Sequence, residues 1–170
     1  MTYRELSRQE KTRIKRALDR WGVFEFFKDN QILIEDGGSK TVTVASAGTE
    51  MFIPMQPFFI GLPIGELKKQ FVPSMAGADL FARSGKLNKF YVTVNANAEK
   101  LVLYGRDIMG DSIVEVSDEL AENELIIVLN ERHEAIGIGR TRFAGNCLRQ
   151  RGRITVTNVL DAGRYLREEG

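Results

Sequence analysis

From Leu101 onward the chain is a series of short apolar runs. Leu101–Tyr104, Ile113–Val116, Leu125–Leu129, Ala135–Arg140 and Ile154–Thr157 each read as a strand. The polar Asn130–Glu134 lies between two of them, as a hairpin loop does. Short strands at regular spacing predict a small barrel or sandwich. A length of 170 residues leaves room for a second small domain before it. The change of pattern near Asn95–Ala98 sets the expected boundary between residues 94 and 95. The expected organisation is thus an α+β N-terminal domain over 1–94, followed by a C-terminal β barrel or sandwich over 95–170.

The N-terminal helix is well signalled. Ser7 and Glu10 have the spacing of a capping box. Ile14, Leu18 and Trp21 follow at i, i+4 and i+7 as one apolar face, and Gly22 marks the end. Arg13, Lys15, Arg16 and Arg20 read as a solvated helix face. Gln31–Glu35 and Lys40–Ala45 flank Asp36-Gly37-Gly38-Ser39 as a β-hairpin. Thr49–Pro54 is expected as a strand, Ile64–Lys69 as a short helix ending before Pro73, Ala78–Arg83 as helix and Phe90–Val94 as strand. Phe24, Phe26 and Phe27 are expected in the first core. The adjacent Phe58 and Phe59 are expected in a core rather than at an interface between domains.

Composition narrows the chemistry. A single His133 and a single Cys147 exclude His-rich or Cys-rich metal sites. His133 reads as an exposed loop residue, and Cys147 as a small buried residue in a reducing compartment. Asp118, Glu119, Glu122 and Glu124 read as a solvated acidic loop without the spacing of a calcium site. Gly137-x-Gly139 lacks the third glycine of a dinucleotide loop and reads as close backbone packing. No apolar run approaches the roughly 20 residues that span a bilayer, and the first residues lack the apolar stretch of a secretory signal. The expectations are no catalysis, no metal, no cofactor and no membrane.

Charge is distributed unevenly. Residues 1–94 hold 14 basic and 10 acidic side chains, and residues 95–170 hold 10 and 13. Ala135–Leu160 contains no acid, yet it carries Arg140, Arg142, Arg149, Arg151 and Arg153. In an extended chain, the i, i+2 spacing of the last three puts their guanidinium groups on one side. Such a row suits successive phosphates of a nucleic acid. A solvated barrel rim is the competing reading.

The run ENELIIVLNERHEAIGIGRTRF, with RGRITVTNVLDAGRYLREEG after a short connection, resembles a PUA domain, which implies that the C-terminal domain over 95–170 is a PUA-type β pseudo-barrel behind the α+β N-terminal domain. Just before it, NAEKLVLYGRDIMGDSI resembles the junction between pre-PUA and PUA domains in the Nip-seven-like large-ribosomal-subunit biogenesis factors, carried by Ala98-Glu99, Leu103-Tyr104-Gly105 and Ile108-Met109. Upstream, IGLPIGELKKQ and LNKFYVTV are similar to that family's first domain, and chain length and domain order agree. The resemblance implies an archaeal-type, non-enzymatic RNA-binding protein of ribosome biogenesis, acting in pre-rRNA processing or large-subunit assembly. It implies binding of single-stranded U- or AU-rich RNA at Arg149, Arg151 and Arg153, with Arg140 and Arg142 beside them. The implied partners are pre-rRNA and ribosome assembly factors or exosome-type processing proteins, in the cytoplasm or, in a eukaryote, the nucleus and nucleolus. The alternative is an accessory PUA module that presents tRNA to an RNA-modification enzyme.

Overall fold

The computed structural model describes residues 2–84 and 87–168. The chain divides into two compact units, Met1–Lys86 and Leu87–Gly170. The division falls ahead of the expected boundary at 94/95. The reason is the strand Tyr91–Val94, which pairs with Ile113–Val116 and Leu125–Leu129 and so belongs to the second sheet.

The first unit is α+β. Its strands β1 (Thr2–Glu5), β2 (Gln31–Asp36), β3 (Lys40–Ala45), β4 (Leu62–Leu67) and β5 (Phe71–Pro73) form one antiparallel sheet in sequence order. The expected hairpin is β2–β3, in full register from Gln31 opposite Ala45 to Asp36 opposite Lys40. Helix α1 (Arg8–Trp21) begins at the Ser7–Glu10 capping box and stops at Gly22, whose left-handed backbone would strain any other residue. Ile14, Leu18 and Trp21 are buried, as their spacing predicts. Helix α2 (Phe24–Phe27) buries Phe27, whereas Phe26 is exposed and Phe24 half-buried. Helix α3 (Met75–Arg83) packs on β4 and contributes Phe81. The Phe81 ring lies 6.2 Å from Trp21, 5.8 Å from Phe27 and 6.3 Å from Phe71 and forms the centre of an aromatic core.

Three local expectations fail in this unit. Thr49–Met55 is a 3₁₀ helix, entered through the left-handed Gly48 and containing Pro54. Pro54 lacks the N–H that a ladder requires, which disfavours a strand there. Residues 64–69 are not helical, because pairing with β3 and β5 overrides the helix-forming Glu-Leu-Lys-Lys composition. Phe58 and Phe59 stack edge to face but are 85% and 74% exposed, so neither is a core residue.

An ion-pair cluster ties α1 to the sheet. The Glu10 side chain is only 6% exposed. It accepts hydrogen bonds from Arg4 Nη1 at 2.8 Å, from Lys40 Nζ at 2.8 Å and from the Ser7 backbone at 2.9 Å. Arg4 also pairs with Asp36. The Arg4 hydrogen bonds hold the Glu10 carboxyl far below the usual carboxylate range, assisted by Lys40 and opposed by burial. A depressed carboxylate pKa stabilises the fold above its unfolded value, about 4.3, and the contribution is lost as pH falls below that. Glu10→Gln is expected to cost about 2 kcal/mol at neutral pH, because the buried side chain loses its charge-assisted bonds to Arg4 and Lys40 while Arg4 keeps Asp36. The same change should flatten the loss of stability between about pH 4.5 and pH 2. Urea denaturation across that range measures both.

The second unit holds α4 (Ala96–Leu103) and a six-stranded sheet in the order β7-β11-β10-β9-β6-β8. These strands are β6 (Tyr91–Val94), β7 (Ile108–Met109), β8 (Ile113–Val116), β9 (Leu125–Leu129), β10 (Ala135–Thr141) and β11 (Ile154–Asp161). A short helix, α5 (Arg164–Glu168), follows. Bulges on β6, β10 and β11 curl the sheet toward a barrel. Strand β9 is buried throughout and forms the core. Leu101–Leu103 are helical rather than extended, because Asn95 caps α4 by accepting from the Ala98 N–H. Gly139 packs as its motif predicts: a Cβ there would meet Val156 Cγ1 at 2.5 Å. No helix among the described residues is long and apolar enough to cross a membrane.

Candidate nucleic-acid interface

The acid-free segment runs along β10, through a loop, and back along β11. Thr141 is buried at the end of β10, where its hydroxyl donates to the Ala121 carbonyl at 2.8 Å and accepts from the Glu124 N–H at 2.8 Å. Arg140 and Arg142 flank it. Arg140 Nη1 donates to the Asn123 carbonyl at 3.0 Å, and Arg142 Nε donates to Thr157 Oγ1 at 2.9 Å. The Arg142 N–H also donates to the Thr155 carbonyl at 2.8 Å, extending the pairing with β11.

The connection is a built loop. Gly145–Arg149 forms a 3₁₀ turn pinned by the fully buried Leu148. The buried Thr155 hydroxyl donates to the Leu148 carbonyl at 2.7 Å. Gly152, in the left-handed conformation, reverses the chain, and its N–H donates to Asp111 Oδ1 at 2.7 Å. The Gly110 N–H donates to the Arg153 carbonyl at 2.9 Å. A Cβ on Gly110 would lie 2.1 Å from the Gln150 carbonyl oxygen. Gly110→Ala is therefore expected to displace Gln150–Arg153 and cost about 1–3 kcal/mol. Thermal denaturation and amide shifts at 150–153 would show it.

Arg149, Arg151 and Arg153 do not form the expected extended row. Arg149 ends the 3₁₀ turn and donates to the Val114 carbonyl of β8. Arg151 stands exposed in the turn, with no hydrogen bond or ion pair to the described residues. Arg153 lies over the Phe143 ring, 4.6 Å from its centroid, and donates to Gln150 Oε1 at 3.1 Å. The structure thus gathers Arg142, Phe143 and Arg153 where the chain enters β11, with Arg151 two residues from Arg153. Arg140 and Arg149 each hold a neighbouring loop or strand carbonyl. Phe143 was not singled out as a site residue by the sequence; its signal is an aromatic inside a basic, acid-free stretch.

Ion pairing separates these arginines from Arg132, Arg164 and Arg167 of the same unit. None of the five forms an ion pair among the described residues. Arg132 is held by Glu99 and Glu134, Arg164 by Glu168 and Arg167 by Asp161. Uncompensated guanidinium groups on a fixed loop retain their attraction for an external anion. Cys147 is exposed rather than buried, because Leu148 takes the inward position of the turn. His133 is exposed in the β9–β10 loop with a left-handed backbone, and Asp118, Glu119 and Glu122 are exposed.

Comparison with known proteins agrees with this architecture. A family model described as the UPF0113 PUA domain matches residues 90–170, and one described as the NIP7/UPF0113 pre-PUA domain matches residues 3–75. A UPF0113 protein of Archaeoglobus fulgidus is 33% identical over 172 residues, covering 99% of this chain and 97% of that protein. The tRNA-guanine(15) transglycosylase of Methanocaldococcus jannaschii is 32% identical over 79 residues, which is 46% of this chain and 12% of that enzyme. Two solved structures share the fold over nearly the whole chain. A hypothetical protein of Pyrococcus horikoshii has a TM-score of 0.72, 17% identity and 98% coverage of each chain. A conserved PUA domain protein of Thermoplasma acidophilum has a TM-score of 0.69, 18% identity and 99% coverage of each chain. The chain therefore belongs to the NIP7/UPF0113 family, with a pre-PUA domain followed by a PUA domain.

Proposed function

We propose that this chain is a non-catalytic RNA-binding protein of ribosome biogenesis that binds single-stranded U- or AU-rich RNA on its PUA domain. The observation that carries the reading is the set of unpaired arginines on a fixed loop beside Phe143. Arg142, Arg151 and Arg153 contact successive phosphates, and Arg140 and Arg149 extend the basic surface on either side. Phe143 and Asn146, which is exposed in the 3₁₀ turn, meet the bases, since unstacked single strands offer both ring faces and polar edges. Membership of a PUA family supports RNA as the ligand. Pre-rRNA is the RNA this reading assigns, in the cytoplasm, with ribosome assembly factors or exosome-type processing proteins as partners of the first unit.

The second reading is a module that presents tRNA to a modifying enzyme. The likeness of 79 residues to part of a tRNA-guanine(15) transglycosylase favours it. Fluorescence anisotropy with oligo-U, oligo-A and a folded tRNA separates the two. Preference for oligo-U is expected. Preference for folded tRNA would move the chain to the accessory class, and binding to none of them would overturn both readings.

A further inference from the structure

The first unit carries a feature that the arginine surface leaves unexplained. A cleft of about 350 Å³ opens between α1, α2 and the entry to β2, within the size range of small-ligand sites. Its apolar side includes Ile14 and Leu18. Helix α1 contributes Lys11 and Lys15, α2 contributes Phe24, and the chain entering β2 contributes Asn30 and Gln31.

The charged side chains that line this cleft are Lys11 and Lys15, both from a basic helix. Helix α1 holds six basic and two acidic residues. One of the acids, Glu10, is buried in its own ion pairs on the sheet. Lys11 and Lys15, one helical turn apart, lie on the same face. The Lys11 ammonium has no ion pair among the described residues. Lys15 pairs with Asp19 at 2.8 Å and sits 4.5 Å from the centroid of the Phe24 ring. The Lys15 ammonium therefore lies over that half-buried ring, and its side chain, 58% exposed, is open to solvent. The Asn30 and Gln31 side-chain amides make no hydrogen bond to the described residues and leave donors and acceptors free.

We propose that this cleft binds one unstacked nucleotide of a single-stranded RNA. Its phosphate lies at Lys11 and Lys15, its base lies against Phe24, and Asn30 and Gln31 face the polar edge of the base. An aromatic face, an apolar floor and paired cations are the combination that holds single strands with little dependence on sequence. An acidic peptide would satisfy the lysines but would leave Phe24 without a planar partner. The inference rests on the RNA-binding reading above and adds a second contact on a different unit.

Photo-cross-linking of the full chain to oligo-U carrying 4-thiouridine, with cross-linked peptides mapped by mass spectrometry, tests it. Cross-links are expected in 11–31 as well as in 142–153. Lys11→Ala with Phe24→Leu should remove the first set, keep the second and lower oligo-U affinity about tenfold. Lys11→Ala alone should flatten the slope of log K against log salt by about 0.7, the value for one phosphate contact on a single strand. Phe24→Leu alone should lower oligo-U affinity at unchanged melting temperature and Phe24→Tyr should retain it, whereas a purely structural role for the ring would lower melting temperature and affinity together. Cross-links confined to 142–153 would overturn the cleft and leave the proposed function standing. Cross-links at neither site would overturn both, and cross-links in 11–31 alone would support the cleft against the arginine surface. Displacement by polyglutamate as effective as by oligo-U would also overturn the nucleotide assignment.

Discussion

Changing Arg142, Arg151 and Arg153 together to Ala is expected to lower affinity for single-stranded oligo-U about 100-fold. Hydrogen bonds to charged groups contribute about 1.5–3 kcal/mol when shielded from water. These three groups are exposed, so about 1 kcal/mol each is appropriate, and three such contacts amount to roughly two decades. None of the three has a carboxylate partner to strand, so the stability cost is confined to the Arg142–Thr157 hydrogen bond and the Arg153 contacts with Phe143 and Gln150, and melting temperature should fall by only about 2–4 °C. Arg153→Lys should recover only part of the loss, because lysine keeps the charge but not the planar contact with Phe143. Arg149→Ala is expected to behave differently. It breaks the contact to the Val114 carbonyl and so weakens the docking of the 3₁₀ turn on β8 as well as RNA binding. Anisotropy titrations paired with thermal melts separate the two effects.

The largest effect on stability is expected at Phe81. The ring is fully buried and touches three other aromatic rings from α1, α2 and β5. Phe81→Ala removes the buried ring and leaves a cavity that α3 and β4 cannot fill, at a cost of about 3–5 kcal/mol. Phe58→Ala and Phe59→Ala are expected to change stability by less than about 0.5 kcal/mol, because both rings are exposed. Urea denaturation of the three variants measures the contrast directly. Equal losses at Phe58 and Phe81 would contradict the assignment of the core.

Local signals in the sequence translated well into structure. The capping box at Ser7 and Glu10, the helical spacing of Ile14, Leu18 and Trp21, and the β2–β3 hairpin depend on neighbours in the chain, and all are present. Signals that depend on distant partners were less legible. Glu66–Lys69 is rich in helix formers, but Leu62–Leu67 lies between two strands whose free backbone groups require pairing. Leu101–Leu103 is apolar enough for a strand, and only the Asn95 cap and the preceding Ala-rich turn identify it as helix. The boundary at 94/95 followed a change in composition, whereas Tyr91–Val94 joins β8 and β9 through contacts far along the chain.

The arginines show the same limit. Their acid-free setting was visible in the sequence, and it corresponds to the absence of ion pairs in the fold. Their geometry was not visible. The i, i+2 spacing presupposes an extended chain, but Leu148 draws the segment into a 3₁₀ turn and Gly152 reverses it. Phe143 joins Arg153 only because β10 and β11 return side by side. Sequence therefore located the charge, and tertiary structure determined which groups act together.

The most direct test of RNA binding through this surface is a salt titration of oligo-U affinity for the unaltered chain and for the Arg142, Arg151 and Arg153 triple variant. Three phosphate contacts on a single strand predict that removing these groups flattens the slope of log K against log salt by about 2. An unchanged slope, or wild-type affinity that does not respond to salt, would contradict the account.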